Sequence, residues 1–167
     1  LISILTPSYN RAEYLKKLIS SLELQTYKNF EWIVGNDGST DDTDKLISNI
    51  SQKLSFKITY INSSLRVGKA KMDNLLLEQV HGEFILWCDS DDYLYPNSLE
   101  ILVELYEKIP IKEKDNYIGV IAQNIDTNGK SQTFSEDNIP KKEIYIKWED
   151  FYRYIKGDGT ILGKSYY

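Results

Sequence analysis

Short apolar runs alternate with amphipathic stretches through the first two thirds of the chain. Leu1–Leu5 reads as a strand stopped by Thr6-Pro7. Asn10 is expected to cap a helix with Glu13 as its capping-box partner. Tyr14, Leu15, Leu18, Ile19 and Leu22 then recur at helical spacing as far as Gln25. Phe30–Gly35 is a second strand, and Asn36–Thr43 a turn-rich loop whose Asp41 and Asp42 suit the first turn of a helix. That helix carries Leu46, Ile47 and Ile50 on one side. Phe56–Ile61 follows as a strand, Lys69–Val80 as a helix with Leu75, Leu76 and Leu77 partly buried, and Phe84–Cys88 as a fourth strand. Asn97 or Ser98 is expected to cap a last helix, running to Lys108 with Leu99, Leu102, Val103 and Tyr106 inward. This alternation predicts an α/β fold with parallel strands and right-handed crossovers.

Beyond about residue 110 the rhythm changes. Tyr117–Ile125 has strand character, Asn128-Gly129 is a hairpin signal, and Gln132–Phe134 is its expected return. Ile144–Ile146 is a further short strand candidate, and Trp148–Ile155 a short helix packed through Phe151, Tyr152 and Ile155. With no repeat, low-complexity tract or linker, a single domain over 1–167 is expected, its second part irregular and leaning towards antiparallel pairing.

Composition narrows the class. At 167 residues, with 41% hydrophobic and 27% charged positions, the chain suits one ordinary globular domain with a real core. A net charge of -5 without a basic stripe argues against nucleic acid as a partner. The lone Cys88 lies in an apolar run and reads as a small core residue, in keeping with a reducing compartment. There is no apolar run of about 18 residues and no signal-peptide pattern. The absence of an initiator Met, and the ending at Gly163-Lys164-Ser165-Tyr166-Tyr167, lead us to expect a fragment lacking sequence mainly at its C-terminus. The thirteen tyrosines fit a general bias towards Tyr, Lys, Asn and Ile better than a sugar-stacking role.

The sharpest chemical feature is Phe84-Ile85-Leu86-Trp87-Cys88 running straight into Asp89-Ser90-Asp91-Asp92. An unpaired buried carboxylate is costly, so these acids belong at the open end of the strand. There they offer the hard oxygen ligands that Mg²⁺ and Mn²⁺ prefer. Polar loops also follow the first two strands, at Thr6-Pro7-Ser8-Tyr9-Asn10-Arg11 and Asn36-Asp37-Gly38-Ser39-Thr40. In a parallel sheet all three loops emerge on one edge, where open α/β sheets bind ligands.

Taken in order, Pro7-Ser8-Tyr9-Asn10-Arg11, Gln25-Thr26-Tyr27, Asp37-Gly38-Ser39-Thr40-Asp41, Gly68-Lys69-Ala70, Gly82-Glu83-Phe84-Ile85 and Asp89-Ser90-Asp91-Asp92 resemble the family 2 glycosyltransferases. The resemblance covers roughly residues 1–110 and implies a GT-A fold: a mostly parallel, Rossmann-like sheet flanked by helices. It implies a nucleotide-sugar-binding half over 1–110 and the start of an acceptor-side part over 111–167. Position by position, it gives Pro7 and Tyr9, with Thr6 beside them, to the nucleotide base, and Asp37 to the uracil N–H. Arg66 and Lys69 fall near the nucleotide. Asp89-Ser90-Asp91 matches the DxD motif, with Asp91 as the main metal ligand and Asp89 and Ser90 contacting ribose or metal-bound water. Asp92 is a supporting group or the cap of the next turn. The chain departs from the family at Asp73, where many relatives carry an apolar residue or Arg.

These matches imply metal-dependent, inverting transfer from a UDP-sugar, with Mn²⁺ or Mg²⁺, to a saccharide or lipid-linked acceptor. By analogy, the protein is cytoplasmic, at the inner face of the membrane. Inversion needs a general base on the acceptor hydroxyl. Asp150 and Asp158 are the late aspartates available, Asp158 in Lys156-Gly157-Asp158-Gly159 being the better, but the base is expected beyond Tyr167. On that expectation the fragment binds donor without turnover. His81 precedes the fourth strand and reads as structural; Trp148, Phe151, Tyr152 and Tyr154 read as packing. Two other classes compete. A nucleotidyltransferase would want a glycine-rich basic loop after the first strand, and Thr6–Asn10 has no glycine. A non-catalytic nucleotide-sugar-binding module differs from the enzyme only in activity.

Overall fold

A computed structural model of the chain describes residues 1–133, 146 and 159–165. The strands are β1 (Ile2–Ser8), β2 (Phe30–Asp37), β3 (Lys57–Ser63), β4 (Phe84–Trp87), β5 (Gly119–Gln123) and β6 (Gly159–Lys164). The helices are α1 (Ala12–Glu23), α2 (Thr43–Ile50), α3 (Lys69–Leu77) and α4 (Ser98–Glu107), followed by a 3₁₀ segment at Ile111–Asn116. Together the strands form one sheet in the order β3-β2-β1-β4-β6-β5. β1 pairs in parallel with β2 and β4, and β2 in parallel with β3. β6 runs antiparallel to β4, with Leu86 opposite Leu162.

The central strands carry long apolar runs, as is usual where helices cover a parallel sheet. Every residue of β2 is buried. Leu5, Ile33 and Ile85 form one core cluster with Leu76 of α3. Gly35 makes this packing possible, since a Cβ there would collide with the Met72 side chain. α1 buries Leu15, Leu18, Ile19 and Leu22, whereas Tyr14, which shares their helical spacing, is 46% exposed. α4 rests on β4 through a T-shaped contact of Phe84 and Tyr106, ring centres 4.7 Å apart. Buried Gln25 ties the end of α1 to the start of α4: its amide donates to Tyr95 O (2.7 Å) and its Oε1 accepts from Leu99 N (3.2 Å).

β1 runs three residues further than the proline suggests. Odd-numbered residues of β1 face β4, as Leu5 O accepting from Cys88 N shows. Pro7 therefore turns its missing N–H towards β4, but the paired part of β4 ends at Trp87, opposite Leu5. No ladder bond is lost there, and such a position tolerates proline. At the other end of the sheet Glu31 is almost fully buried. Its carboxylate accepts from Ser3 Oγ (2.7 Å), Lys57 Nζ (2.7 Å) and His81 N (3.0 Å). Burial raises its pKa, but these bonds outweigh burial and hold it below the ordinary value. His81 sits in this network, opposite the end where the strand-terminal acids lie.

The chain separates into two compact units, Leu1–Val120 with Leu162–Tyr167, and Ile121–Ile161. In the second, the expected Asn128-Gly129 turn forms with Gly129 at φ 79°. Asp126 Oδ1 accepts from Asn128 N and Lys130 N, and Ile125 bridges Ser131. Gln132 N donates to Asn124 O, returning the chain as expected. The expected elements at 144–146 and 148–155, and Phe134, lie outside the described residues, apart from Ile146. Among the described residues no helix is long and apolar enough to cross a membrane.

Candidate functional site

The loops after β1, β2 and β4 meet around a cleft of about 300 Å³ at the C-terminal edge of the parallel strands. Local bonds fix them to one another. Asn10, expected as a helix cap, instead adopts φ 53° and reaches sideways. Its N–H donates to Ser39 Oγ (2.9 Å), and its Oδ1 accepts from Thr40 N (2.8 Å). The first N–H of α1, at Ala12, goes to Asp41 Oδ2 (3.1 Å), so the cap comes from the next loop. Asp41 also accepts from Thr43 N at the start of α2. Burial opposes ionisation of Asp41, yet these bonds lower its pKa.

Asn36, at the end of β2, donates to Tyr60 Oη (3.2 Å) and Asn62 Oδ1 (3.0 Å) on β3. Both of those residues donate to Asp44 Oδ1. Burial, and the Asp44 carboxylate beside it, push the Tyr60 hydroxyl up to about 12. The next residue, Asp37, is 5% exposed. Its carboxylate accepts from Val67 N (2.5 Å) and Gly68 N (3.0 Å), so it holds the 65–68 loop. Arg66 on that loop lays its guanidinium over Tyr9, 4.1 Å from the ring centre. One face of the Tyr9 ring, expected to stack on a base, is therefore occupied by Arg66.

Asp89 and Asp91 project from the turn after β4, their side chains 60% and 49% exposed. Lys69 Nζ is 3.4 Å from Asp89 Oδ1, and an Arg11 guanidinium nitrogen 3.8 Å from Asp91 Oδ2. Pairs this exposed are worth about 0–1 kcal/mol and exchange readily. Among the described residues no group of three or more His, Cys, Asp or Glu side chains stands ready to enclose a metal. Two hard carboxylates fit an ion that takes its remaining ligands from phosphate and water, as Mg²⁺ commonly does. Burial and the neighbouring aspartates push the Cys88 thiol up, in keeping with a core residue.

Of the expected site residues, Pro7, Tyr9, Asp37, Arg66, Lys69, Asp89, Ser90 and Asp91 all line the cleft. Asp158 lies outside the described residues. Thr6 lies elsewhere: fully buried, it donates to Cys88 O (2.9 Å) and accepts from Trp32 Nε1 (3.0 Å). Its hydroxyl is thus a pin between three strands. Thr6→Val should leave two buried groups unpaired and cost about 2–4 kcal/mol in urea unfolding, with nucleotide affinity unchanged. Lost affinity at unaltered stability would instead put Thr6 against the ligand.

Three cleft residues were not expected: Ser8, Arg11 and Met72. Met72 is signalled only by helical spacing. Ser8 and Arg11 belong to the Thr6–Arg11 loop and to the motif that carries the resemblance, but neither was given a role of its own. Ser8 Oγ is buried and, among the described residues, makes no hydrogen bond, leaving it open to a ligand.

A family model for glycosyl transferase family 2 matches residues 3–162. An uncharacterized glycosyltransferase of Rickettsia conorii is 35% identical across the whole chain, which spans 27% of that protein's length. The GalNAc(5)-diNAcBac-PP-undecaprenol beta-1,3-glucosyltransferase of Campylobacter jejuni is 36% identical over 90% of the chain and 47% of its own length. The crystal structure of S. aureus TarS in complex with UDP superposes with a TM-score of 0.58 and 33% identity, over 64% of this chain and 32% of that one. The strand order, the parallel core with one antiparallel neighbour, and these likenesses agree on one assignment: the chain has the GT-A fold and belongs to glycosyl transferase family 2.

Proposed function

We propose that the chain is the donor-binding portion of an inverting, metal-dependent glycosyltransferase. It takes a UDP-sugar and passes the sugar to a hydroxyl of a saccharide or lipid-linked acceptor. The observation that carries this reading is the convergence of Tyr9, Asp37 and Asp91, from three different strand ends, on one cleft. In this reading Pro7 and Tyr9 pack on the base. Asp37 accepts the imide N–H; a carboxylate has about four lone-pair sites, so two backbone partners leave room for a third. Asp89, with Ser90 beside it, receives ribose or a metal-bound water, and Asp91 ligates the cation. Arg11, Arg66 and Lys69 balance the diphosphate charge. A bound Mn²⁺ or Mg²⁺ supplies Lewis-acid stabilisation of the departing UDP.

The acceptor side needs a carboxylate base to take the hydroxyl proton. UDP in the TarS complex and the undecaprenol-linked substrate in the Campylobacter enzyme's name support the donor and acceptor classes. A lipid-linked acceptor would bring the protein to the inner membrane face as a peripheral partner.

Thermal shifts with UDP-, GDP- and dTDP-sugars, each with and without Mn²⁺, test the donor reading. Stabilisation is expected from the UDP-sugar alone and only with metal. Equal, metal-independent shifts from all three would sink it.

A further inference from the structure

Lys69 is the first residue of α3, and Asp73 lies one turn on. A cation at a helix N-terminus opposes the macrodipole, and Lys placed before an acid at this spacing is the less favourable order. Helix stability therefore does not explain the pair. The Asp73 side chain is only 24% exposed, and its buried Oδ1 makes no hydrogen bond of good geometry. Its compensation is the Lys69 ammonium at 3.5 Å. On its other side that ammonium meets Asp89 Oδ1 at 3.4 Å, above the Trp87 ring at 5.7 Å. Lys69 lines the cleft, and Asp73 does not.

We infer that Asp73 is a positioning residue that holds Lys69 at the diphosphate subsite, an inference that rests on the nucleotide-sugar reading above. An ammonium is a compact charge with three donors, so Lys69 can exchange Asp89 for a phosphate oxygen while Asp73 keeps hold of it. The exchange releases Asp89 for the ribose or a metal-bound water. The positive charge stays at the cleft whether or not donor is present, and Asp73 supplies the anchor from behind.

Calorimetric titration of wild type, Asp73→Asn, Lys69→Met and the double variant with UDP and with uridine, in Mn²⁺, tests this. Asp73→Asn should weaken UDP binding about 5-fold, a coupling usual for residues in contact, and leave uridine binding as in wild type. In the Lys69→Met background it should add nothing. Asp73→Glu, which keeps the charge but moves it, should fall between wild type and Asp73→Asn. Equal losses for UDP and uridine, or additive losses in the double variant, would make Asp73 a helix-supporting residue and overturn the inference alone. A wild-type protein that binds neither ligand overturns the nucleotide reading and this inference with it.

Discussion

Asp91→Ala should remove the metal-dependent part of UDP-sugar binding while leaving the fold intact. The Asp91 side chain is about half exposed, and among the described residues it pairs with Arg11 at 3.8 Å. Truncating it should change stability by less than about 0.5 kcal/mol, as is usual for surface sites. The expected loss is therefore one of ligation, not of folding. Removing even a group that only supports a metal ligand commonly costs 10–100-fold in affinity, so loss of the ligand itself should cost at least about 100-fold in apparent Mn²⁺ affinity. Manganese electron paramagnetic resonance in the presence of UDP reads that affinity directly. Asp89→Ala should weaken binding less, because its proposed contacts are ribose or a water. Unchanged manganese binding in Asp91→Ala would mean that the metal, if used, is held elsewhere.

Gly38→Ala should damage both stability and the site. Gly38 has φ 68°, and a Cβ there would stand 2.5 Å from Arg66 N and from Leu65 C. The left-handed conformation alone costs a non-glycine residue about 1–2 kcal/mol. The collision is with backbone, which cannot rotate away as a side chain can. The 65–68 loop must shift, and its two N–H bonds to Asp37 shift with it. A total of about 2–4 kcal/mol is expected in urea unfolding. UDP affinity should fall at least about 10-fold, a coupling energy within reach of neighbouring groups, because Arg66 and Asp37 both lose their geometry. Wild-type stability in this variant would mean that the loop does not rest on Gly38.

Much of this was legible from local pattern. The alternation that places β1 to β4 is carried by apolar runs long enough to identify, and Phe84–Trp87 ends where the acids begin. β6 was not legible: Gly159-Thr160-Ile161-Leu162-Gly163-Lys164 holds two adjacent aliphatics between glycines, too little for a periodic signal. Its place comes from β4, with which it pairs across some eighty residues of chain. The 3₁₀ segment at Ile111–Asn116 is short and has no buried face to mark it. In the site, Tyr9, Asp37 and Asp91 stood out through the motifs that carry the family resemblance, which assigns them roles position by position. Contacts across the chain were hidden. Thr6 sits beside the motif in sequence, but its partners Trp32 and Cys88 are 26 and 82 residues away. The Arg66 stack on Tyr9 depends on two loops meeting, which no local pattern encodes.

The difference in length between β1 and β4 has a further consequence. β4 stops pairing opposite Leu5, while β1 continues through Thr6, Pro7 and Ser8. At about 3.3 Å per residue, β1 overhangs the paired part of β4 by roughly 10 Å, and beyond Cys88, which still bonds Leu5 and Thr6, the chain turns away. That overhang is on the scale of a diphosphate with its cation. The relative lengths of β1 and β4 thus help set the room at this edge, and a longer β4 would narrow it with no side chain in the cleft changed.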